Sequence, residues 1–167
     1  MEVYAIIKDY PNYAISNFGK VINIKKNGKE IKQIKNTKGY LCVNLKSNDN
    51  INLVVVHRLV AKAYIDNMDE NRNIVDHINN DITNNRVENL RWATSTENSR
   101  NAKLSNKNTS GIKGVNFHKH KKLWRARISV NGKREHIGNY KTIEEAKTAR
   151  QNKAKEIFGE FINACEL

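Results

Sequence analysis

Cysteine is scarce in this chain. There are two, Cys42 and Cys165, far apart and in no Cys-x-x-Cys pair. That spacing argues against a structural zinc site and against a disulfide framework, and it suits a reducing compartment. No apolar run approaches membrane-spanning length, and the stretch from Met1 to Tyr10 lacks a charged-then-apolar leader. The expectation is a soluble intracellular protein with no membrane partner, in the cytoplasm of a bacterium or an infected cell, or in a nucleus. Acidic residues are also few: 17 Asp and Glu stand against 30 Lys and Arg, for a net charge of +13. Such an excess is the footprint of a polyanion binder, because each phosphate neutralised releases counterions. The hydrophobic share of 38% is modest, so the cores should be small. No internal repeat is visible, and 167 residues admit one ordinary domain or two to three very small ones.

The stretch from Ile74 to Asn101 carries the most information. Asp76-His77 follows the apolar pair Ile74-Val75, which places it at the end of a short strand. Asn79, Asn80, Asp81, Asn84 and Asn85 make the next segment a loop, since Asn and Asp bond their own backbone and tolerate left-handed conformations. Leu90 to Ala93 reads as a second strand. Thr94 with Glu97 three residues on is a capping-box pattern, so a helix carrying Asn98 should start there. Asp76 and His77 are adjacent, so on a regular strand they point to opposite sides. Acting together would need a bend or an irregular strand end.

The order strand, loop, strand, helix resembles the HNH nucleases, specifically the small intron-type homing endonucleases with a ββα-metal core. The matching residues are His57-Arg58-Leu59-Val60-Ala61, Val75-Asp76-His77, Asn84-Asn85, Glu88-Asn89-Leu90-Arg91-Trp92 and Glu97-Asn98. One position departs: the third family position is often His, and Asn98 stands there, as in phage-type members. The resemblance implies hydrolysis of DNA phosphodiester bonds with one divalent ion, Mg²⁺ or Mn²⁺. It implies Asp76 and Asn98 as metal ligands, His77 as general base, and Asn89 as the residue orienting His77 through its side-chain oxygen. Hard oxygen donors of this kind suit such ions, and an imidazole titrating near neutrality suits activation of water.

Residues 1–50 read as a small antiparallel β region. Tyr13-Ala14-Ile15-Ser16 leads through Asn17-Phe18-Gly19 into Lys20 to Ile24, Asn27-Gly28 is a hairpin signal, and Gly39 to Leu45 is another strand. The pattern Tyr13…Ser16-Asn17…Gly19-Lys20-Val21 resembles a module that accompanies homing nucleases. Tyr13, Ile15 and Val21 are open to two readings, as core or as part of a DNA-contacting module. Residues 51–101 form the nuclease core. Within it Leu59, Val60, Ala63 and Tyr64 recur at helical spacing. His57 either supports the site or is a buried histidine bonded to backbone. Arg58 either binds phosphate or pairs with an acid, and Trp92 is assigned to the core.

Residues 102–110 read as a basic linker. Over residues 111–167 the pattern predicts three strands, Gly114 to His118, Trp124 to Val130 and Lys133 to Ile137. Asn131-Gly132 turns between the last two, and a helix follows the Thr142…Glu145 capping box. Alternation sends Trp124, Ala126, Ile128 and Val130 to one face and Arg125, Arg127 and Ser129 to the other. Ala146, Ala149, Ala154, Ile157 and Phe161 give the helix an apolar face, with Gly159 near its end. Gly114-Val115, Trp124 to Ile128, Asn131-Gly132-Lys133, Ile137 to Tyr140, Glu144-Glu145-Ala146 and Gly159-Glu160-Phe161 resemble the Apetala-two/ethylene-response-factor DNA-binding domain. In that family the sheet enters the major groove. The resemblance implies DNA contacts from Arg125, Arg127, Arg134 and His136, with Lys113, Asn116 and His118 in support. Several contact positions of the plant form are replaced, so the target sequence does not carry over.

The expected fold class is therefore α+β: an N-terminal antiparallel β region, a ββα-metal HNH core and a C-terminal three-stranded antiparallel sheet with one packed helix. The expected partner is double-stranded DNA, bound by a monomer or weak dimer. Arg58 joins the DNA-contact set. Two alternatives stand beside the nuclease. One is a catalytically inactive DNA-binding regulator, and the other is an RNA-binding protein.

Overall fold

The computed structural model describes residues 1–47, 50–102, 104, 108–130 and 132–159. The chain is a mixed α+β protein of short antiparallel sheets, and its contacts cluster into two units, Met1–Thr94 and Ser95–Leu167. No helix among the described residues is long and apolar enough to cross a membrane.

In the first unit β1 (Tyr4–Ile7), β2 (Tyr10–Ser16), β3 (Val21–Asn23) and β4 (Lys29–Glu30) form one sheet in sequence order. Asn27 (φ 50°) and Gly28 (φ 71°) both take the left-handed conformation in the β3–β4 connection, which is why that dipeptide signals a turn. A second sheet joins β5 (Ile34–Lys35), β6 (Leu41–Ser47) and β7 (Asn50–Val55). Helix α1 (Val56–Tyr64) follows β7 directly, and β8 (Ile74–His77) pairs antiparallel with β9 (Leu90–Ala93).

One apolar core joins these parts. Ile15 and Val21 of the first sheet, Val43 and Leu45 of the second, Val56 and Val60 of α1, and Val75 and Leu90 of the β8–β9 pair belong to a single cluster. Tyr13, Ile15 and Val21 are thus core residues. The expected division between residues 50 and 51 falls inside this cluster and is no boundary of packing. The helix α1 buries Val56, Leu59, Val60 and Ala61, whereas Ala63, expected on that face, is exposed. Trp92 packs against the cluster and donates its indole N–H to the carbonyl of Ile65 at 2.9 Å, as a core tryptophan with a polar edge should.

The second unit begins with α2 (Ser95–Asn101) and continues with β10 (Val115–His118), β11 (Leu123–Val130), β12 (Lys133–Tyr140) and α3 (Ile143–Phe158). The three strands form one antiparallel sheet in sequence order. The Thr142 hydroxyl accepts from Glu145 N while the Glu145 carboxylate accepts from Thr142 N, so the expected capping box starts α3. Ala146, Ala154 and Phe158 pack against Ala126 and Ile128, the strand face that alternation assigns to the core. Asn131, Glu160, Phe161 and Cys165 lie outside the described residues, as does part of the expected linker.

Candidate active site and nucleic-acid interface

The β8–β9 ladder sets Asp76 directly opposite Arg91 and His77 opposite Leu90. Asp76 is 4% exposed, and Arg91 answers its charge across the ladder. The Nε of Arg91 donates to Asp76 Oδ2 at 3.0 Å, with Nη2 2.9 Å from the same oxygen. A carboxylate so deeply buried needs such a partner, because an unpaired buried charge is strongly destabilising.

His77 is the last residue of its strand. The chain turns at once: Asn80 N donates to His77 O at 2.9 Å, and Asn80 sits in the left-handed region at φ 60°. The His77 ring is buried and lies in a group of aromatic rings. His57 meets it edge-on with centroids 4.9 Å apart, and Tyr40 lies 6.1 Å away. Its Nε2 is 3.1 Å from Oδ1 of Asn85, which is 4% exposed.

Asn89 does something other than expected. Its side-chain oxygen accepts from Asn79 N at 3.0 Å and its amide donates to Asn84 O at 2.8 Å. Both partners belong to the loop after His77, so Asn89 braces that loop and does not bond the imidazole. The physical reason is geometric: the 3₁₀ turn Val87–Asn89 directs the buried Asn89 amide at two loop backbone groups. Asn85 occupies the place by the ring instead. In the sequence Asn85 stands out only as a loop residue and as half of the Asn84-Asn85 pair.

His57 is 7% exposed, and burial, aided by the nearby His77 and Arg58, pushes its pKa down to about 3. It is therefore neutral at physiological pH. Its Nδ1 has no hydrogen-bond partner among the described residues, so the reading as a backbone-bonded histidine fails for that nitrogen. Arg58 is exposed in the first turn of α1 and, among the described residues, makes no ion pair. Asn98 is half-buried on α2, within the second unit.

The donors available for a metal are few. No group of three or more His, Cys, Asp or Glu gathers among the described residues. One buried carboxylate and an amide oxygen are not a cage. The Asp76 carboxylate is by its chemistry a donor for a hard divalent ion of the kind that keeps most of its waters.

In the second unit Asn116, Arg125 and Asn139 line up across the three strands, followed by Arg127 beside His136 and Ser129 beside Arg134. These residues project from the face opposite α3, since their alternating neighbours pack on that helix. His118, two positions from Asn116, shares their face. Lys113 does not: its ammonium bonds the carbonyls of Arg100 and Ala102 at the end of α2. Cationic side chains commonly bond the last carbonyls of a helix in this way. A cavity of about 550 Å³ opens beside the sheet, lined by Arg100, Arg127, Arg134 and Arg150, with no carboxylate among the described residues of its wall. That lining suits an anionic occupant.

Known proteins are similar to this chain in sequence and in fold. Residues 54–100 match the HNH endonuclease family, and residues 2–46 match the NUMOD4 motif. An uncharacterized HNH endonuclease of Acanthamoeba polyphaga mimivirus is 43% identical over 98 residues, 58% of this chain and 24% of that protein. A second from the same virus is 34% identical over 140 residues, 82% of this chain and 37% of its own length. The chain thus spans between a quarter and two fifths of these curated relatives. Among solved structures, one described as DNA binding and cleavage by the HNH homing endonuclease I-HmuI superposes with a TM-score of 0.55 at 29% identity, covering 94% of this chain and 83% of that one. The buried Asp76-His77 pair lies inside residues 54–100, the segment that matches the HNH endonuclease family.

Proposed function

We propose that the protein is a site-specific DNA endonuclease of the homing type that hydrolyses phosphodiester bonds with a divalent metal and a histidine base. The observation that carries this reading is the enclosure of Asp76 and His77 at the end of β8, inside the family-matched residues. A phosphodiester resists attack because it is anionic and its alkoxide leaves poorly. The His77 imidazole would take the proton from an attacking water as general base. Asp76 and Asn98 would hold Mg²⁺ or Mn²⁺, which as a Lewis acid stabilises the charge that develops on phosphate and leaving oxygen. Arg91 holds the Asp76 carboxylate in place. Asn89 keeps the loop after His77 in a fixed shape. By family likeness the products carry 5′-phosphate and 3′-hydroxyl ends.

Double-stranded DNA is the proposed substrate, held by Arg58 and by the sheet face bearing Asn116, His118, Arg125, Arg127, Arg134 and His136. The resemblance to Apetala-two domains supports a sheet in the major groove, where arginine reads guanine edges and cations track phosphate. The narrow A-form major groove disfavours RNA for such a sheet. Lys113 stands apart from this set, because its ammonium bonds the carbonyls of Arg100 and Ala102.

The test is cleavage of supercoiled plasmid carrying the gene's own flanking DNA, with Mg²⁺, Mn²⁺ or EDTA. Metal-dependent nicking by the wild type should disappear in His77→Ala and Asp76→Ala. Intact binding without cleavage under any metal would overturn the enzyme and leave a DNA-binding regulator.

A further inference from the structure

We infer that Asn85, seated against Gly19 of the N-terminal motif, is the positioning residue that sets the tautomer and orientation of His77. The inference rests on the reading of His77 as the base. Oδ1 of Asn85 is 3.1 Å from His77 Nε2, and an amide oxygen only accepts. Nε2 must then carry the proton, which makes Nδ1 the basic nitrogen. The Asn85 Nδ2 is buried with no hydrogen-bond partner among the described residues, so the ring contact is the side chain's one polar anchor there.

Asn85 is fixed from behind by residues that match the N-terminal motif. Gly19 has φ +88°, and a Cβ placed there would stand 2.9 Å from Asn85 Cβ and 3.3 Å from its carbonyl oxygen. Any side chain at residue 19 would push Asn85 off the ring. The surrounding contacts hold both backbones. Val87 N donates to Asn17 O at 2.9 Å, and the Arg86 guanidinium lies 4.0 Å over the Phe18 ring. Gln33 Nε2 donates to Gly19 O at 2.8 Å. Tyr40, from the same matched stretch, flanks His57 and His77. The N-terminal motif is thus part of the wall of the histidine's pocket as well as a neighbour of the core.

Three variants and one spectrum test this, on the same plasmid. Asn85→Leu keeps the volume and removes the acceptor. Single-turnover cleavage should fall about 10- to 100-fold, the usual loss when an orienting partner is removed, with DNA affinity unchanged. Asn85→Asp keeps an acceptor and should recover most of the rate. Gly19→Ala should slow cleavage without altering DNA affinity. Imidazole ¹⁵N spectra of the neutral wild-type His77 should show the proton on Nε2, a result that does not require Asn85→Leu to fold. A proton on Nδ1, wild-type cleavage by Asn85→Leu, or equal impairment of the Asp and Leu variants would overturn the inference. If His77→Ala itself cleaves like the wild type, the base reading fails instead. Loss in His77→Ala beside full activity in Asn85→Leu removes only the positioning role.

Discussion

His57 shows how burial turns a titratable residue into a stability term. Folded, its pKa is about 3 against an ordinary 6.5. Between those values the unfolded chain binds a proton that the native chain refuses, so stability should drop as pH falls through that window. Above about 6.5 there is no penalty. At roughly 1.4 kcal/mol per unit the loss toward pH 3 is at most about 5 kcal/mol. His57→Phe should therefore lose less stability than wild type between pH 7 and pH 4, measured by urea denaturation, and an identical loss would contradict the assignment. The residue itself was legible as an ambiguity, support for the site or simple burial. The ring beside it is that of His77, twenty positions along the chain, a neighbour no local pattern encodes. Asn89 and Asn85 illustrate the same limit. Both stood out in an Asn-rich loop, but which amide meets the imidazole depends on where the loop folds. Lys113 lay beside a basic strand in sequence, yet the turn into β10 swings its ammonium to α2.

At the scale of elements the reading was closer, because periodicity and caps are local. The strand ending at Asp76-His77, the strand Leu90–Ala93, the helix after Thr94 and the capping box at Thr142 all stand where residue patterns put them. The pairing of β8 with β9 adds what a strand alone could not: the ladder sets Asp76 opposite Arg91. Both groups are largely buried, with side-chain exposures of 5% and 14%. Arg91→Met should take the cationic partner away from a buried carboxylate and cost about 3 kcal/mol. The double variant Asp76→Asn, Arg91→Met should recover much of that stability, though not cleavage. Thermal denaturation of the three proteins checks it, and a double variant no more stable than the single one would show that the ladder, and not the ion pair, sets the cost.

For the whole molecule, composition spoke to charge and hardly at all to architecture. The resemblances divide the chain into modules, while long-range packing decides where one core ends, and a single apolar cluster runs from Ile7 to Leu90. The charge, by contrast, is additive and survives folding. A chain at +13 that tracks DNA should bind with a steep salt dependence, because log K falls by about 0.9 per log unit of salt for each phosphate neutralised. Arg125 and Arg127 face away from α3 on the same strand, and neither forms part of the apolar clusters. Replacing both with alanine should weaken binding to duplex DNA and reduce the magnitude of the salt slope by about 2, while metal-dependent cleavage at saturating protein persists. Fluorescence anisotropy over a salt series measures the slope. A slope equal to that of the wild type would remove the sheet from the interface and leave the charge of the first unit to hold the DNA.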